Sequence, residues 1–188
     1  MPYTTRLDDA FAYAHALHAH QDRKGTGIPY ISHLMAVASL VAENGGTEDQ
    51  VIAALLHDGP EDQGGCETLA EIETRFGPDV AGIVESCSDT FEEVKPAWRT
   101  RKEHYLAHLE DADPKALLVS AADKLHNSRS ILADLRKDGV ETFERFRGKR
   151  DGTLWYYRSL VSILSRRLPG SLVDELALVV SEMERLSS

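Results

Sequence analysis

Apolar residues recur along this chain at intervals of three and four positions, the spacing that places side chains on one face of an α-helix. The first such pattern lies near the amino terminus and comprises Leu7, Phe11, Ala14 and Leu17. Alternating runs of apolar and polar residues, joined by an Asn-Gly hairpin turn, would indicate paired β-strands, and the sequence has no such arrangement. The pattern therefore predicts an all-α fold.

The longest predicted helix has a clear signal at each end. Asp113-Pro114 combines a capping residue with proline at the first helical position, and Asp138-Gly139 closes the apolar pattern. Along this helix Asp123, His126 and Asn127 share one face, because they are separated by three and four residues. We therefore expect these polar side chains to line the same pocket.

Two segments interrupt the helical pattern. Residues 22–29, with the sequence DRKGTGIP, hold two glycines and a proline between charged residues and are predicted to form a loop. The stretch Ser88 to Arg101 is the most polar and least periodic part of the chain. It is predicted to be a mobile loop or lid.

Composition and charge narrow the class of protein. The 188 residues, 42% of them apolar, suit one globular domain, and no apolar run approaches the ~20 residues of a membrane span. The start MPYTTRLDD lacks the apolar core of a signal peptide, so we expect a cytoplasmic protein with reduced cysteines. A formal charge of −10 argues against nucleic acid as a partner. The negative charge does not exclude a small phosphorylated substrate, since a local cation can make the electrostatic potential inside one pocket positive.

Ionisable residues close two otherwise apolar helical runs, AALLHD at 53–58 and LLVSAADKLHN at 117–127. A buried carboxylate needs a partner, and a metal ion is one that several such groups can share. Taken alone, His57-Asp58 suits a hydrogen-bonded helix end as well as a ligand pair. With Asp123 and His33 added, the set suits a divalent ion such as Mn²⁺ or Fe²⁺ better than structural zinc.

Two further carboxylates, Glu61 and Asp62, follow Asp58 after Gly59-Pro60. Beside a metal they are placed to orient a water molecule or accept its proton during attack on phosphorus. The alternative is that they cap the next element in a solvated loop. The residues themselves leave both interpretations open.

Several separated motifs, in one order, resemble the HD-superfamily hydrolase domain of the RelA/SpoT group, and most of all its stand-alone small alarmone hydrolases. The motifs are Arg23-Lys24 and Pro29-Tyr30-Ile31 before His33, then His57-Asp58-x-x-Glu61-Asp62, then Ala122-Asp123-Lys124-x-His126-Asn127-x-Arg129. The resemblance is strongest over residues 9–135. It implies a single compact helical bundle, an HD hydrolase domain over residues 1–188, with helices in 140–188 completing it.

The resemblance also implies a role for each matching residue. The implied Mn²⁺ ligands are His33, His57, Asp58 and Asp123, and the implied pair that activates water is Glu61 and Asp62. Arg23 matches a residue that packs on guanine, Lys24 lies beside the nucleotide, and Asn127 matches a ribose contact. The remaining candidates for substrate binding are Lys124, Arg129, and Tyr156 or Tyr157, one of which matches a late nucleotide-contacting tyrosine.

The implied activity is removal of the 3′-diphosphate of guanosine tetra- or pentaphosphate, which yields pyrophosphate and GDP or GTP. The alternatives are an HD phosphohydrolase for another nucleotide or a phosphorylated dinucleotide, and a noncatalytic helical module that binds nucleotide. The sequence departs from the family pattern at Leu34, where proline is common, and at Gly59-Pro60, which leaves the path of the acidic pair open. Nothing in the sequence predicts an oligomeric state.

Overall fold

The computed structural model describes residues 3–88 and 96–188, and across these ranges the chain forms helices and no β-strand. The predicted all-α class is therefore confirmed. The helices are α1 (Thr5–Leu17), α2 (Ile31–Glu43), α3 (Glu48–Leu56), α4 (Gly59–Asp62), α5 (Gly65–Phe76), α6 (Pro78–Cys87), α7 (Trp98–Asp111), α8 (Pro114–Asp138), α9 (Lys149–Arg167) and α10 (Ser171–Leu186), with a 3₁₀ helix at Gly139–Arg145.

Local sequence explains where the helices that carry the site begin. The Thr47 hydroxyl accepts a hydrogen bond from the Gln50 amide, and the Gln50 side chain accepts one from the Thr47 amide, so α3 opens with a capping box. The Asp113 side chain caps α8 by accepting from the Lys115 amide, and Pro114 occupies the first turn. At the other end of α8, Gly139 adopts a positive φ of 68°, a conformation that favours glycine.

Helix α3 is the most deeply buried element, since Ile52 through Leu56 are fully inaccessible. It contacts α1, α2, α6 and α8, and α8 in turn packs against α2, α6, α9 and α10. A helix that is apolar all round can only be stable when it is covered on every side. The carboxyl end of α3 and the middle of α8 bring polar residues into the interior, and there the site forms.

The acidic segment after Asp58 forms a short helix. Pro60 lies in the first turn of α4, and the Asp62 amide donates to the Asp58 carbonyl at 3.0 Å. A Cβ at Gly59 would stand 3.3 Å from Leu17 and 3.6 Å from Thr68, so glycine allows α4 to lie close to α1 and α5. The family departure at Gly59-Pro60 thus keeps the acidic pair on a helical turn that directly follows Asp58.

The predicted loop at 22–29 is closed by an isolated antiparallel bridge between Asp22 and Pro29. The predicted mobile segment at 88–101 is partly wrong, because Trp98 already begins α7; residues 89–95 of that segment lie outside the described residues. Within the described ranges, no helix has the length and apolarity needed to cross a membrane. Cytoplasmic location stays a prediction.

Candidate metal centre and active site

Four side chains from three places in the chain converge at the centre of the fold. His33 comes from α2, His57 and Asp58 from the turn between α3 and α4, and Asp123 from α8. The ligand atoms of His33, His57 and Asp58 all lie within 4.8 Å of one another. Asp123 Oδ1 lies 3.2 Å from His33 Nε2 and 3.6 Å from His57 Nε2. The structure thus brings all four predicted ligands together.

The donor atoms of this cluster fit a divalent cation. His33 Nε2 and His57 Nε2 are both buried without a hydrogen-bond partner, although Asp58 Oδ2 is 3.4 Å and 3.1 Å from them. His57 Nδ1 lies 2.8 Å from the Ala54 carbonyl, which can only accept, so Nδ1 carries a proton and the neutral ring, the form that binds a metal ion, presents its lone pair on Nε2. Two lone pairs and two carboxylate oxygens around one point form a ligand set for a divalent ion.

The electrostatics of the cluster favour ionised carboxylates. Burial acts to raise the pKa of Asp58 and Asp123, yet neighbouring groups hold both pKa values well below the ordinary range. For Asp58 the main opposing influence is His57, and for Asp123 it is the Lys124 charge. The carboxylates are therefore charged at neutral pH and ready to bind a cation.

Each carboxylate ligand is held by further side chains. The Tyr30 hydroxyl donates to Asp58 Oδ2 at 2.7 Å. The Lys124 ammonium donates to Asp123 Oδ2, and the Asn127 amide donates to Asp123 Oδ1, each at 2.5 Å. Such partners orient metal ligands and tune their basicity. Tyr30 belongs to the Pro29-Tyr30-Ile31 motif, but the sequence did not predict its role.

A second imidazole stands behind His33. His126 Nδ1 lies 2.7 Å from His33 Nδ1, and the two ring centroids are 4.8 Å apart. Burial, together with the nearby His33 and Arg23, lowers the pKa of His126 to about 4, so that its ring is neutral at pH 7. The sequence placed His126 on the same helix face as Asp123, and the structure agrees.

The acidic pair lies on α4, next to the ligand Asp58. The Gln21 amide group donates to Asp62 Oδ2 at 2.7 Å, and its oxygen accepts from His18 Nδ1 and from the Gln63 amide group. Loss of hydration and the charge of Asp58 raise the pKa of Asp62, while the Gln21 hydrogen bond acts in the opposite direction. A carboxylate with a raised pKa is suited to accept a proton near neutral pH. Sequence reasoning missed Gln21, because no local pattern links it to Asp62.

The predicted base-binding residue lies beside the predicted ribose-binding residue. Arg23 Nη2 donates to Asn127 Oδ1 at 2.9 Å and approaches Ser130 Oγ at 3.4 Å. Its guanidinium carbon stands 5.8 Å from the centre of the Tyr30 ring. Lys24, next along the same loop, is exposed. Arg23 is thus connected to the metal centre through Asn127 and Asp123.

The other substrate-binding candidates lie in different surroundings. Lys124 is almost fully buried in its ion pair with Asp123, and Arg129 pairs with Glu175 of α10. Tyr156 and Tyr157 are both buried, and Tyr156 packs edge-on against Trp98. Burial and the charge of Asp123 raise the pKa of Tyr157, whereas the positive charges of Lys124 and Arg23 act to lower it. The Tyr157 hydroxyl therefore interacts electrostatically with both the metal ligand Asp123 and Arg23.

Comparison with known proteins agrees with this site. Residues 10–154, most of the chain, match the HD domain family. The chain belongs to the HD domain family. The resemblance stated from the motifs is therefore confirmed, and the family together with the His-His-Asp cluster indicates a divalent metal site.

Relatives of known name extend the comparison. The chain is 39% identical over 126 residues to guanosine-3′,5′-bis(diphosphate) 3′-pyrophosphohydrolase MESH1 of Xenopus tropicalis, covering 65% of this chain and 68% of the relative. It is 37% identical over 129 residues to the human protein of the same name, covering 67% and 69%. A probable enzyme of that type from Synechocystis is 37% identical over 130 residues, but the match covers 65% of this chain and only 16% of that longer protein.

Solved structures show the same fold. A structure described as a metazoan ortholog of SpoT that hydrolyzes ppGpp superposes with a TM-score of 0.75 at 26% identity, over 98% of this chain and 97% of the other. The lmo0812 protein of Listeria monocytogenes gives a TM-score of 0.71 at 28% identity, over 81% and 99%. The predicted HD-type helical bundle is confirmed.

Proposed function

We propose that this protein hydrolyses guanosine tetra- and pentaphosphate at the 3′ position, releasing pyrophosphate and GDP or GTP, with Mn²⁺ as its metal ion. The observation that carries the proposal is the hydrogen-bonded series from Arg23 through Asn127 to Asp123. It places a residue suited to stacking on a base next to Asn127, which is suited to a ribose contact, and Asn127 next to the metal ligand Asp123. Relatives that are 39% and 37% identical to this chain over the matched residues are named for this hydrolysis.

The metal centre would be held by His33, His57, Asp58 and Asp123. Both imidazoles direct unpartnered Nε2 atoms toward the carboxylates, and Tyr30, Lys124 and Asn127 hold those carboxylates in place. When bound, a divalent ion supplies Lewis acidity, which lowers the pKa of water and offsets negative charge that develops at phosphorus. A mixed nitrogen and oxygen ligand set suits Mn²⁺.

The acidic pair would handle the proton. Asp62 and Glu61 lie one helical turn beyond Asp58, so a carboxylate there can accept a proton from the attacking water. The water oxygen bonds to the phosphorus attached at the 3′ oxygen, and the bond between that phosphorus and the 3′ oxygen breaks. The 3′ oxygen is the leaving group and takes up the proton that the acidic pair removed from the water, so that the products are pyrophosphate and GDP or GTP. Gln21 keeps Asp62 in position through its donated hydrogen bond.

Recognition of the guanosine would fall to the loop before α2 and to α8. Arg23 offers a planar guanidinium, Asn127 an amide, and Lys24 a charge on the exposed side of the loop. Tyr157 is the tyrosine we place nearest the nucleotide, because its surroundings include Arg23 and Asp123. Lys124 and Arg129 are already paired with Asp123 and Glu175, so we assign them to shaping the site.

We also propose that residues 1–188 form one HD hydrolase domain. The family match ends at residue 154, inside α9. Helix α10 nevertheless packs along α8 and α9, and Arg129 of α8 pairs with Glu175 of α10. The helices in 140–188 thus cover the outer side of the helix that supplies Asp123.

The proposal is tested by turnover of a substrate panel. The purified chain is incubated with ppGpp, pppGpp, GTP, NADPH and a simple phosphate monoester, with Mn²⁺ or with a chelator, and the products are separated by anion exchange. We expect pyrophosphate release from ppGpp and pppGpp that requires Mn²⁺. Activity on NADPH or GTP without activity on ppGpp would instead assign another nucleotide substrate. Nucleotide binding without any turnover would indicate a noncatalytic module.

A further inference from the structure

The ring contact between His33 and His126 joins the ligand helix α2 to α8. The two Nδ1 atoms are 2.7 Å apart, and His33 is fully buried while His126 is half-buried. One of these nitrogens must donate and the other must accept, because two lone pairs or two protons at this distance would repel.

The role of His33 decides which nitrogen donates. Its Nε2 faces Asp58 and Asp123 and has no hydrogen-bond partner. An imidazole binds a metal ion through an unprotonated nitrogen, so a His33 that uses Nε2 must carry its proton on Nδ1. The acceptor of that proton is His126 Nδ1.

Without an acceptor, His33 would favour the other tautomer. The carboxylate oxygens of Asp123 and Asp58 stand 3.2 Å and 3.4 Å from Nε2, where they attract a proton to that nitrogen. A proton on Nε2 would block metal binding by that atom. For His57 the Nδ1 proton is accepted by the Ala54 carbonyl at 2.8 Å, whereas for His33 the acceptor is the His126 side chain.

We propose that His126 is a positioning residue of the metal centre, which holds His33 in its metal-binding tautomer and ring orientation by accepting the Nδ1 hydrogen bond. This inference rests on the metal centre of the proposed function. One turn of α8 then supplies both the ligand Asp123 and the residue that orients a ligand from α2. Loss of such outer partners typically weakens metal affinity by ~10- to 100-fold.

Two substitutions separate hydrogen bonding from packing. His126→Phe keeps an aromatic ring but has no acceptor, whereas His126→Asn loses the ring but can place its amide oxygen where Nδ1 lies. The control is His104→Phe, which makes the same exchange at an exposed position of α7. Each full-length protein is titrated with Mn²⁺ alone, and free Mn²⁺ is measured by electron paramagnetic resonance.

We expect H126F to bind Mn²⁺ ~10- to 100-fold more weakly than the wild type, and H126N and H104F to bind close to wild type. Thermal melts without metal should place H126F near the wild type, and added Mn²⁺ should raise its melting temperature less. Equal Mn²⁺ affinity in H126F and the wild type overturns the inference, as does H126N binding as weakly as H126F.

The experiment separates this inference from the proposed function. It measures metal binding without substrate, so either overturning result leaves hydrolysis of ppGpp untouched. A wild-type protein that fails to bind Mn²⁺ overturns both this inference and the Mn²⁺ centre of the proposed function. If the variants show the expected order of Mn²⁺ affinities but the wild type does not hydrolyse ppGpp, the positioning role of His126 stands and the proposed substrate is wrong.

Discussion

Arg23 Nη2 donates a hydrogen bond of 2.9 Å to Asn127 Oδ1, which joins the loop before α2 to α8 across 104 positions of sequence. The same Asn127 side chain donates through its nitrogen to the ligand Asp123. Asn127 therefore connects the proposed base-binding residue to the metal centre. Experiments can distinguish an effect on nucleoside recognition, at Arg23, from an effect on metal binding, at Asp123.

Arg23→Ala and Asn127→Ala should both reduce kcat/KM for ppGpp more than for a simple phosphate ester, because base and ribose contacts exist only with a nucleoside. A lost stacking contact costs ~1 to 3 kcal/mol, which should appear mainly in KM. Asn127→Ala should also weaken Mn²⁺ binding, since it removes a hydrogen bond to Asp123. Steady-state kinetics on both substrates and a metal titration check this. Equal proportional losses on both substrates would show that these residues do not recognise the nucleoside.

Asp123→Asn should abolish the increase in melting temperature that Mn²⁺ produces, because a charged ligand is lost. It should also destabilise the metal-free protein by ~3 to 5 kcal/mol, since the buried Lys124 ammonium loses its carboxylate. The double variant with Lys124→Met should recover part of that stability but not the metal response. Melts with and without Mn²⁺ test both statements. A single variant that retains normal metal affinity would remove Asp123 from the ligand set.

Glu61→Gln and Asp62→Asn should slow the chemical step while Mn²⁺ remains bound, because the proposed ligands are His33, His57, Asp58 and Asp123. Loss of general base assistance is typically worth ~10²- to 10⁴-fold in rate. Single-turnover rates on metal-loaded protein provide the measurement. Unchanged rates in both variants would contradict the proton-accepting role, and loss of metal would make these residues ligands.

Gln21→Ala should move the acid limb of the pH profile of kcat to higher pH. Burial and the charges of Asp58 and Glu61 raise the pKa of Asp62, whereas the Gln21 hydrogen bond and the charge of His18 lower it. Removing Gln21 raises this pKa further. Asp62 acts as a base only when it is ionised. The variant should therefore lose activity on acidification at a higher pH than the wild type does. The alkaline limb is the internal control, and an unmoved acid limb would show that Gln21 does not govern Asp62.

Gly148→Ala should destabilise the protein, because a Cβ there would meet the Trp98 indole at 2.6 Å. Overpacking of this kind costs ~1 to 3 kcal/mol. The matched control is Gly82→Ala in α6, where a Cβ meets nothing within 4 Å, and this change should stabilise the protein by ~0.5 to 1 kcal/mol. Urea unfolding of both variants measures the difference. A stabilising Gly148→Ala would show that α7 does not pack tightly on the start of α9.

The chain's own sequence determined most of the helices and the chemistry of the centre. Periodic apolar positions and capping signals are local, so α8 and its ends at Pro114 and Asp138 could be predicted from neighbouring residues alone. The apolar run that closes at Asp58 predicted the end of α3 to within two residues, since α3 ends at Leu56. Histidine and aspartate at the ends of apolar runs indicated buried polar groups that need a partner, and the order of motifs identified the family. These features depend on residue type and spacing, which a sequence contains in full.

Only the tertiary structure decided which side chains support that centre. Gln21 reaches Asp62 across 41 positions, and His126 reaches His33 across 93, because α1, α2 and α8 pack around the buried α3 and α4 follows it after two residues. The same packing places Lys124 in an ion pair with Asp123 and Arg129 in an ion pair with Glu175, although the motif that contains both residues had suggested substrate contacts. A hydrogen bond forms only within about 3 Å, and helix packing rather than sequence spacing brings such distant residues to that distance.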